Sequence, residues 1–361
     1  MKIFSKYKLG GIELQNRVVM APMTRSRAEN NIPNQLMSDY YVQRASVGLI
    51  ITEGTATSAN GLGYPRIPGI YTEEQIKGWG NITNSVHEKG AKIFMQLMHT
   101  GRVSHSDNME KGTEIIAPSA IVLNGEMYTD QNGLQPYPVP REMTKEDIIE
   151  VQNEYVQAAK NAILAGFDGV EIHAANGYLI DQFINTASNK RLDNYGGSIE
   201  NRSRFALEIA QKVIAAIGSE KTGIRISPNG AFNDMEAFDD LEETYEYLGR
   251  ELSHLKLAYL HIVEMAAMGG PDVPLSLKLK VREVFGGPII RSGGLDKQTA
   301  EAALNNDEAE LVAFGRSIIA NPDLVYRMQN DLPLQDPDFD TFYTPGAKGY
   351  TDYPLAMPNI K

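Results

Sequence analysis

The sequence contains no cysteine, which excludes disulfides, thiolate metal ligands and a cysteine nucleophile. It has no apolar run approaching the roughly 18 residues that a membrane-spanning helix needs. Basic residues are not in excess, since 34 Lys and Arg stand against 46 Asp and Glu. An acidic chain lacks the electrostatic footprint of a nucleic-acid or membrane-surface protein. No apolar stretch follows the first lysines as in a signal peptide, so we expect a cytoplasmic protein.

The composition is that of a soluble globular protein with a large core. Of the 361 residues, 42% are hydrophobic and 22% are charged, which excludes a disordered chain. The length allows two domains, but α/β barrels of this size form one. We therefore expect a single domain over residues 1–361.

Eight short apolar runs, rich in Val and Ile, alternate with longer segments of helical periodicity. The runs span Arg17–Thr24, Gly48–Thr55, Lys92–Thr100, Gly169–Ala174, Gly223–Pro228, Ala258–Glu264, Pro288–Gly293 and Glu310–Arg316. Near-continuous apolarity is typical of parallel strands that are buried on both faces. Two of the intervening segments, Lys145–Gly166 and Asn201–Gly218, have helical spacing and end in glycine. Eight such pairs predict an α/β fold of the (β/α)8 TIM-barrel type rather than an open sheet.

Three segments interrupt this alternation. Residues 102–141, after the third strand, are expected to form an excursion that caps the barrel. Residues 177–198 and the C-terminal tail, 332–361, are expected to be lid or loop material.

The loops after the seventh and eighth strands predict a phosphate site. They carry Ser292-Gly293-Gly294 and Gly315-Arg316. Barrels often bind phosphate with these two loops, because glycine lets backbone N–H groups approach the oxygens and an arginine neutralises their charge. The alternative is that the glycines only turn strand into helix and that Arg316 is a surface charge.

Two polar residues lie in or at the end of strands that are otherwise apolar. A buried Arg225 requires an anion or several acceptors. It is therefore either a structural ion pair, with a carboxylate such as Glu264, or a fixed positive charge against a cofactor that becomes anionic. Gln96 can donate and accept together, which suits a pyrimidine edge.

The segment around the end of the fourth strand is the most informative. On a continuous strand His173 and Asn176 would face opposite sides, but both can converge on one oxygen if the strand ends between them. Two neutral donors would polarise a carbonyl or nitro group, and Tyr178 offers a phenol proton. The alternative is a core histidine with a satisfied neighbour. The other histidines lack ligand spacing and no H-E-x-x-H occurs, so we expect no metal.

These motifs make the chain similar to the Old Yellow Enzyme family of FMN-dependent ene-reductases over nearly its whole length. The matching motifs are Ala21-Pro22-Met23-Thr24-Arg25, Glu53-Gly54, Gln96-Leu97-Met98-His99, His173-Ala174-Ala175-Asn176-Gly177-Tyr178, the stretch from Asn189 to Ser198, and Gly349-Tyr350-Thr351-Asp352-Tyr353-Pro354. The resemblance implies tightly, non-covalently bound FMN at the barrel mouth, with NADPH or NADH as co-substrate.

The resemblance also implies roles for individual residues. Those expected to bind FMN are Ala21, Pro22, Met23, Thr24, Gly54, Gln96, His173, Arg225, Ser292, Gly293, Gly294, Gly315 and Arg316. Within this set Thr24 would donate to the flavin O4, and Arg225 would face the reduced ring.

For the substrate, the resemblance implies that His173 and Asn176 bind its oxygen and that Tyr64 and Tyr350 line the pocket. Hydride from the flavin N5 would reach the β-carbon of an α,β-unsaturated carbonyl, maleimide or nitroalkene, and Tyr178 would protonate the α-carbon. Family members carrying tryptophan in place of Met98 indicate a roomier pocket here.

Two other functions compete with this one. A flavin-free phosphate-binding isomerase or aldolase explains the glycine loops but leaves Gln96 and Arg225 without a partner. A non-catalytic FMN-binding protein leaves Tyr178 without a role. We expect small-molecule partners only, without nucleic acid or membrane, and a monomer or homodimer.

Overall fold

The computed structural model describes residues 1–266 and 269–356. Eight parallel strands form a closed barrel, with each strand paired to its neighbours and the last paired to the first. The strands are β1 (Val18–Met20), β2 (Leu49–Ile51), β3 (Lys92–Met98), β4 (Gly169–Ala174), β5 (Thr222–Ile226), β6 (Tyr259–Val263), β7 (Ile289–Ser292) and β8 (Leu311–Phe314). Seven of them lie inside the predicted apolar runs, and β5 begins one residue before its run, at Thr222, so the predicted TIM barrel is confirmed.

Helices follow the strands and cover the outside of the barrel. They are α1 (Gln35–Gln43), α2 (Glu73–Glu88), α3 (Lys145–Leu164), α4 (Leu179–Ile184), α5 (Ile199–Ile217), α6 (Leu241–His254), α7 (Leu275–Phe285), α8 (Lys297–Asn305), α9 (Arg316–Ala320) and α10 (Leu324–Gln329). The α5 helix begins two residues earlier than predicted, because the Ser198 side chain accepts from the Asn201 N–H and caps it there. None of the described helices is long and apolar enough to cross a membrane.

Apolar side chains fill the amino-terminal half of the barrel interior. The cluster includes Val19, Leu49, Ile51, Phe94, Tyr259, Ile290 and Leu311. Leu9 and Leu14, from an N-terminal hairpin (Tyr7–Leu9 paired with Ile12–Leu14), join it. Because this half is packed, a ligand can enter only at the carboxyl ends of the strands, where barrel enzymes carry their chemistry.

The predicted excursion lies between β3 and α3. It contains strands Ile116–Ala117 and Arg141–Glu142, which pair with each other, and a hairpin of Glu126–Thr129 with Gly133–Pro136. Its Leu123 and Met127 pack in one cluster with Met98 and Tyr178. The excursion therefore covers the carboxyl end of the barrel, as the sequence predicts.

The other two interruptions are more ordered than expected. Within residues 177–198, the prediction of loop is wrong for the six buried residues of α4, whereas residues 185–198 form no helix or strand, as predicted. In the tail, backbone oxygens accept from buried arginines: Arg25 donates to Phe342 and Gly349, and Arg27 donates to Thr341. The Ala356 N–H donates to Asp323 Oδ2 at 2.7 Å, so the tail is anchored up to residue 356, and residues 357–361 of the predicted tail lie outside the described residues.

Candidate active site at the barrel mouth

The end of β4 separates His173, in the strand, from Asn176, in the turn that follows. The strand ends one residue after His173, and Asn176 adopts a positive φ of 60°, so the condition for convergence is met. The Asn176 N–H donates to Ser227 Oγ at 2.8 Å. Asp181 accepts from Ser227 Oγ at 3.1 Å and from the Gly177 N–H at 2.9 Å. These contacts fix the turn from below.

Three buried polar atoms at this turn and on the neighbouring strand β5 are unpaired in the described part of the chain. His173 Nδ1, Asn176 Oδ1 and Arg225 Nε are all buried without a hydrogen-bond partner among the described residues. Buried polar groups are rarely left unpaired in folded proteins, so three together indicate a place where a ligand supplies the partners. Burial, with Arg225 nearby, holds the pKa of His173 well below its usual value, and the imidazole is neutral.

Tyr178 lies beside this pair. Its ring meets that of His173 edge to face, with centroids 4.9 Å apart, and its hydroxyl donates to the Tyr64 hydroxyl at 3.2 Å. Burial raises the pKa of Tyr178, while the Tyr64 hydrogen bond opposes that shift. The phenol is therefore protonated at neutral pH and can donate its proton.

The ends of β1 and β8 meet on another side of the mouth. The Ala21 N–H donates to the Phe314 carbonyl at 3.0 Å, and Pro22 after it is buried. A Cβ added at Gly315 would meet nothing closer than Met23 Sδ at 3.4 Å, so this backbone is accessible. The partly exposed Thr24 hydroxyl makes no hydrogen bond within the described residues, which leaves it able to donate to a ligand.

The loop after β7 carries two consecutive glycines at positive φ, Gly293 at 133° and Gly294 at 71°. A Cβ at Gly293 would lie 2.4 Å from the Glu264 carbonyl oxygen, so close packing alone already demands glycine there. In the next loop Arg316 is exposed and its guanidinium lies 5.6 Å from the centroid of the Phe339 ring. The two loops end neighbouring strands, as a phosphate site requires.

Close packing within the protein also requires glycine at position 54. A Cβ there would lie 2.6 Å from Met98 Sδ, so the thioether occupies the space beside this glycine. Gln96 is buried and its amide nitrogen donates to Glu171 Oε1 at 2.8 Å. That leaves the Gln96 amide oxygen for another partner.

Arg225 does not pair with Glu264, the carboxylate that the sequence suggested as its partner. Glu264 bonds Arg291 at 2.6 Å and Lys278 at 2.7 Å instead. Arg225 lies in β5 with its Nη2 3.5 Å from Ser292 Oγ. Its positive charge is therefore available to a ligand at the mouth.

Tyr350 lies in a different cluster. It is fully buried, its ring stacks on Tyr40 at 4.0 Å, and the guanidinium groups of Arg25 and Arg27 lie 5.2 and 4.7 Å from its centroid. Its described contacts are with this cluster rather than with Tyr64, so the geometry gives no support to Tyr350 as a pocket-lining residue.

Sequence reasoning missed three buried groups near the mouth: Glu171, His261 and Asp181. Glu171 interrupts the apolar run of β4 just as Arg225 interrupts that of β5, so the same argument would have found it. Asp181 carried no such signal, because its segment was predicted to be loop. Burial raises the pKa of Asp181 to about 6 against the hydrogen bonds that it accepts.

Comparison with known proteins gives a consistent result. The model of the NADH:flavin oxidoreductase / NADH oxidase family matches residues 2–335. The chain is 43% identical over 355 residues to a "Probable flavin mononucleotide-dependent alkene reductase" of Leishmania infantum, covering 96% of this chain and 95% of that protein. It is 42% identical over 359 residues to 12-oxophytodienoate reductase 1 of Oryza sativa subsp. japonica, covering 98% and 93% of the two chains.

Solved structures agree. Morphinone reductase superposes with a TM-score of 0.94 at 43% identity, covering 98% of this chain and 96% of that one. The old yellow enzyme homologue from Zymomonas mobilis also gives 0.94, at 41% identity, covering 98% and 100%. The family match sets aside the flavin-free isomerase or aldolase. The chain belongs to the NADH:flavin oxidoreductase / NADH oxidase family, that of the Old Yellow Enzyme homologues, and is an NAD(P)H-dependent flavin oxidoreductase.

Proposed function

We propose that this protein reduces the C=C bond of activated alkenes, namely α,β-unsaturated carbonyls, maleimides and nitroalkenes, with NAD(P)H and tightly, non-covalently bound FMN. The observation that carries the proposal is the unpaired His173 and Asn176 beside a protonated Tyr178. When bound, FMN supplies the hydride chemistry between nicotinamide and alkene. The reductase names of the relatives support the same reaction class.

The residues at the mouth fit this cofactor. Thr24 has a hydroxyl that is not used within the described residues, Gln96 has an amide oxygen to offer, and Arg225 is a buried cation with an unpaired Nε. The phosphate would take the loops after β7 and β8, through Arg316 and the backbone of Ser292, Gly293, Gly294 and Gly315, because the Ser292 hydroxyl already contacts His261 inside the barrel. Ala21, Pro22 and Met23 would line one side of the ring, with Gly54 nearby.

His173 and Asn176 would bind the carbonyl or nitro oxygen of the substrate. Neither side chain makes a hydrogen bond within the described residues, so both can turn an N–H toward one oxygen. Because His173 is neutral, it offers a hydrogen bond without surrendering a proton. Donors held in place in a dry site stabilise the negative charge that develops on that oxygen.

Tyr178 would protonate the α-carbon. The Tyr178 hydroxyl, which carries this proton, lies 3.2 Å from the Tyr64 hydroxyl. Once the Tyr178 phenolate forms, the Tyr64 hydroxyl can rotate and donate a hydrogen bond to it. Tyr64 would also line the substrate pocket, where it shares a cluster with Met98 and Leu123. A non-catalytic flavoprotein would have no use for this donor.

Product analysis with 2-cyclohexenone tests the proposal. The purified protein should consume NADH or NADPH only when the enone is present, under exclusion of oxygen, and should form cyclohexanone. The allylic alcohol as product, or no consumption with either nicotinamide, would contradict it. Preference for NADPH or NADH, a cytoplasmic location, and the monomer or homodimer stay predictions.

A further inference from the structure

Five polar side chains on five consecutive strands lie inside the barrel below the candidate site. They are Gln96, Glu171, Arg225, His261 and Ser292, on β3 to β7 in that order, and none is more than 6% exposed. Gln96 pairs in register with Glu171, and Arg225 pairs in register with His261. This polar layer lies just above the apolar side chains that fill the amino-terminal half of the interior.

The hydrogen bonds of this layer run in one direction, from a cation to an anion. Arg225 Nη2 donates to Ser292 Oγ at 3.5 Å, and Ser292 Oγ donates to His261 Nε2 at 2.9 Å. His261 Nδ1 then donates to Glu171 Oε2 at 2.8 Å, since a carboxylate only accepts. Gln96 Nε2 donates to the other carboxylate oxygen at 2.8 Å.

The two charges of the polar layer lie at the two ends of this series of hydrogen bonds. Burial opposes ionisation of Glu171, yet its pKa is below the usual value because His261, Arg225 and Gln96 together stabilise the carboxylate. Burial is the largest influence on His261 and lowers its pKa, so the imidazole is neutral. Burial also lowers the pKa of Arg225, and Glu171 is the strongest group that opposes this shift. The layer thus holds one positive and one negative charge.

We propose that Glu171 is the buried counter-charge of Arg225 and, as a positioning residue, lowers the reduction potential of FMN at the barrel mouth. Reduction by two electrons and one proton adds one negative charge to the ring, which Arg225 attracts and Glu171 repels. Solvent screens such buried charges little, so both effects reach the ring. The inference rests on the proposed function, because it requires FMN beside Arg225.

Glu171→Gln removes the charge and keeps the shape. The amide oxygen still accepts from Gln96, and a tautomer switch lets His261 accept from the new amide nitrogen. We expect the variant to bind reduced FMN at least tenfold more tightly, relative to oxidised FMN, than the native protein does. For a two-electron couple that ratio is a potential higher by about 30 mV.

Asp168→Asn is the matched control. Asp168 immediately precedes β4 on the amino-terminal side and is also a carboxylate paired with a histidine, His87, at 2.7 Å. It lies about 10 Å from Glu171 along the strand, away from the mouth. Equilibration of each protein with a reference dye measures the reduction potential of its flavin, and hence the affinity for reduced relative to oxidised FMN. For Asp168→Asn this affinity ratio should stay within twofold of the native value.

The outcomes separate the inference from the proposed function. If the native protein takes up no FMN, the proposed function fails. If it takes up FMN and the Glu171→Gln ratio stays within twofold of native, the role of Glu171 is wrong.

Thermal unfolding of the full-length variants tests the charge pair in a second way. Glu171→Gln and Arg225→Gln each leave one buried charge unbalanced, whereas the double variant leaves none. The double variant should therefore lose less stability than the two single losses combined, and should fold even if Glu171→Gln alone does not. Additive losses, or a double variant that stays unfolded, would overturn the pairing.

Discussion

The hydroxyl of Tyr178 lies 3.2 Å from the hydroxyl of Tyr64, and the two rings meet edge to face with centroids 6.2 Å apart. Tyr178 is buried with its proton in place, whereas its ring is held by contacts that do not involve the hydroxyl, including the edge-to-face contact with the His173 ring. Removing the oxygen alone should therefore leave the pocket intact and take away only the proton.

Tyr178→Phe should slow reduction of weakly activated enones by roughly 10²–10⁴-fold, the range typical of general acid catalysis. Flavin reduction by NAD(P)H should be unaffected. Nitroalkenes should be slowed less, because a nitronate can leave and be protonated in water. Rapid-mixing measurement of each half-reaction checks this, with Tyr137→Phe as the control from the same cluster. Reoxidation of the reduced flavin by the enone at the native rate in Tyr178→Phe would contradict the assigned role.

Removing the donor pair should impair ligand binding rather than proton delivery. A phenol resembles the enolate form of the substrate, so it should bind over oxidised flavin and produce a long-wavelength charge-transfer band. His173→Ala combined with Asn176→Ala should weaken phenol binding by about 2–4 kcal/mol, since a buried phenolate loses two charge-assisted hydrogen bonds. Titration of the band measures this, and Tyr178→Phe should retain it. Equal affinity in the double variant would place the oxygen elsewhere.

Much of the fold could be predicted because its signals are local. Strands buried on both faces are mainly apolar, so the apolar runs indicated all eight strands. Polar residues at strand ends, such as Gln96, His173 and Arg225, fall together because parallel strands end on one side of the barrel.

What could not be predicted depends on distant packing. Tyr350 is covered by Tyr40 and by arginines near the end of β1, about 300 positions away in the chain, and no local pattern indicates that pairing. Gly54 and Gly293 were expected to admit the cofactor, whereas contacts with Met98 and Glu264 also require glycine. Such reasons become visible only once the strands are assembled.

Arg316→Ala should weaken FMN retention far more than it changes folding. Arg316 is exposed, so its loss removes the phosphate's neutralising charge while the core stays packed. Equilibrium dialysis should show a dissociation constant for FMN raised at least tenfold, with little change in the melting temperature. Arg250→Ala is the control, an exposed arginine on α6. FMN affinity unchanged in Arg316→Ala would move the phosphate away from this loop.

Asp181 should make stability depend on pH. Its pKa rises from 3.8 to about 6 on folding, because burial penalises the carboxylate. The folded state therefore binds the Asp181 proton more tightly than the unfolded state does. The stability that this protonation contributes is full below the unfolded pKa of 3.8 and is lost as the pH rises through 6. Relative to Asp181→Asn, the native protein should lose about 2 kcal/mol of unfolding free energy between pH 4 and pH 7. Urea unfolding at both pH values measures this, and a difference that does not vary with pH would contradict it.

The central claim is that the barrel mouth holds FMN and passes reducing equivalents from nicotinamide to an activated alkene. Anaerobic visible spectroscopy of the purified protein tests this claim when reduced nicotinamide and then an alkene are added in turn. The protein should be yellow and release FMN rather than FAD on denaturation, bleach on addition of NADPH or NADH, and recover its colour when 2-cyclohexenone follows. A colourless protein that takes up no added FMN, or a bleached flavin that activated alkenes cannot reoxidise, would contradict the account.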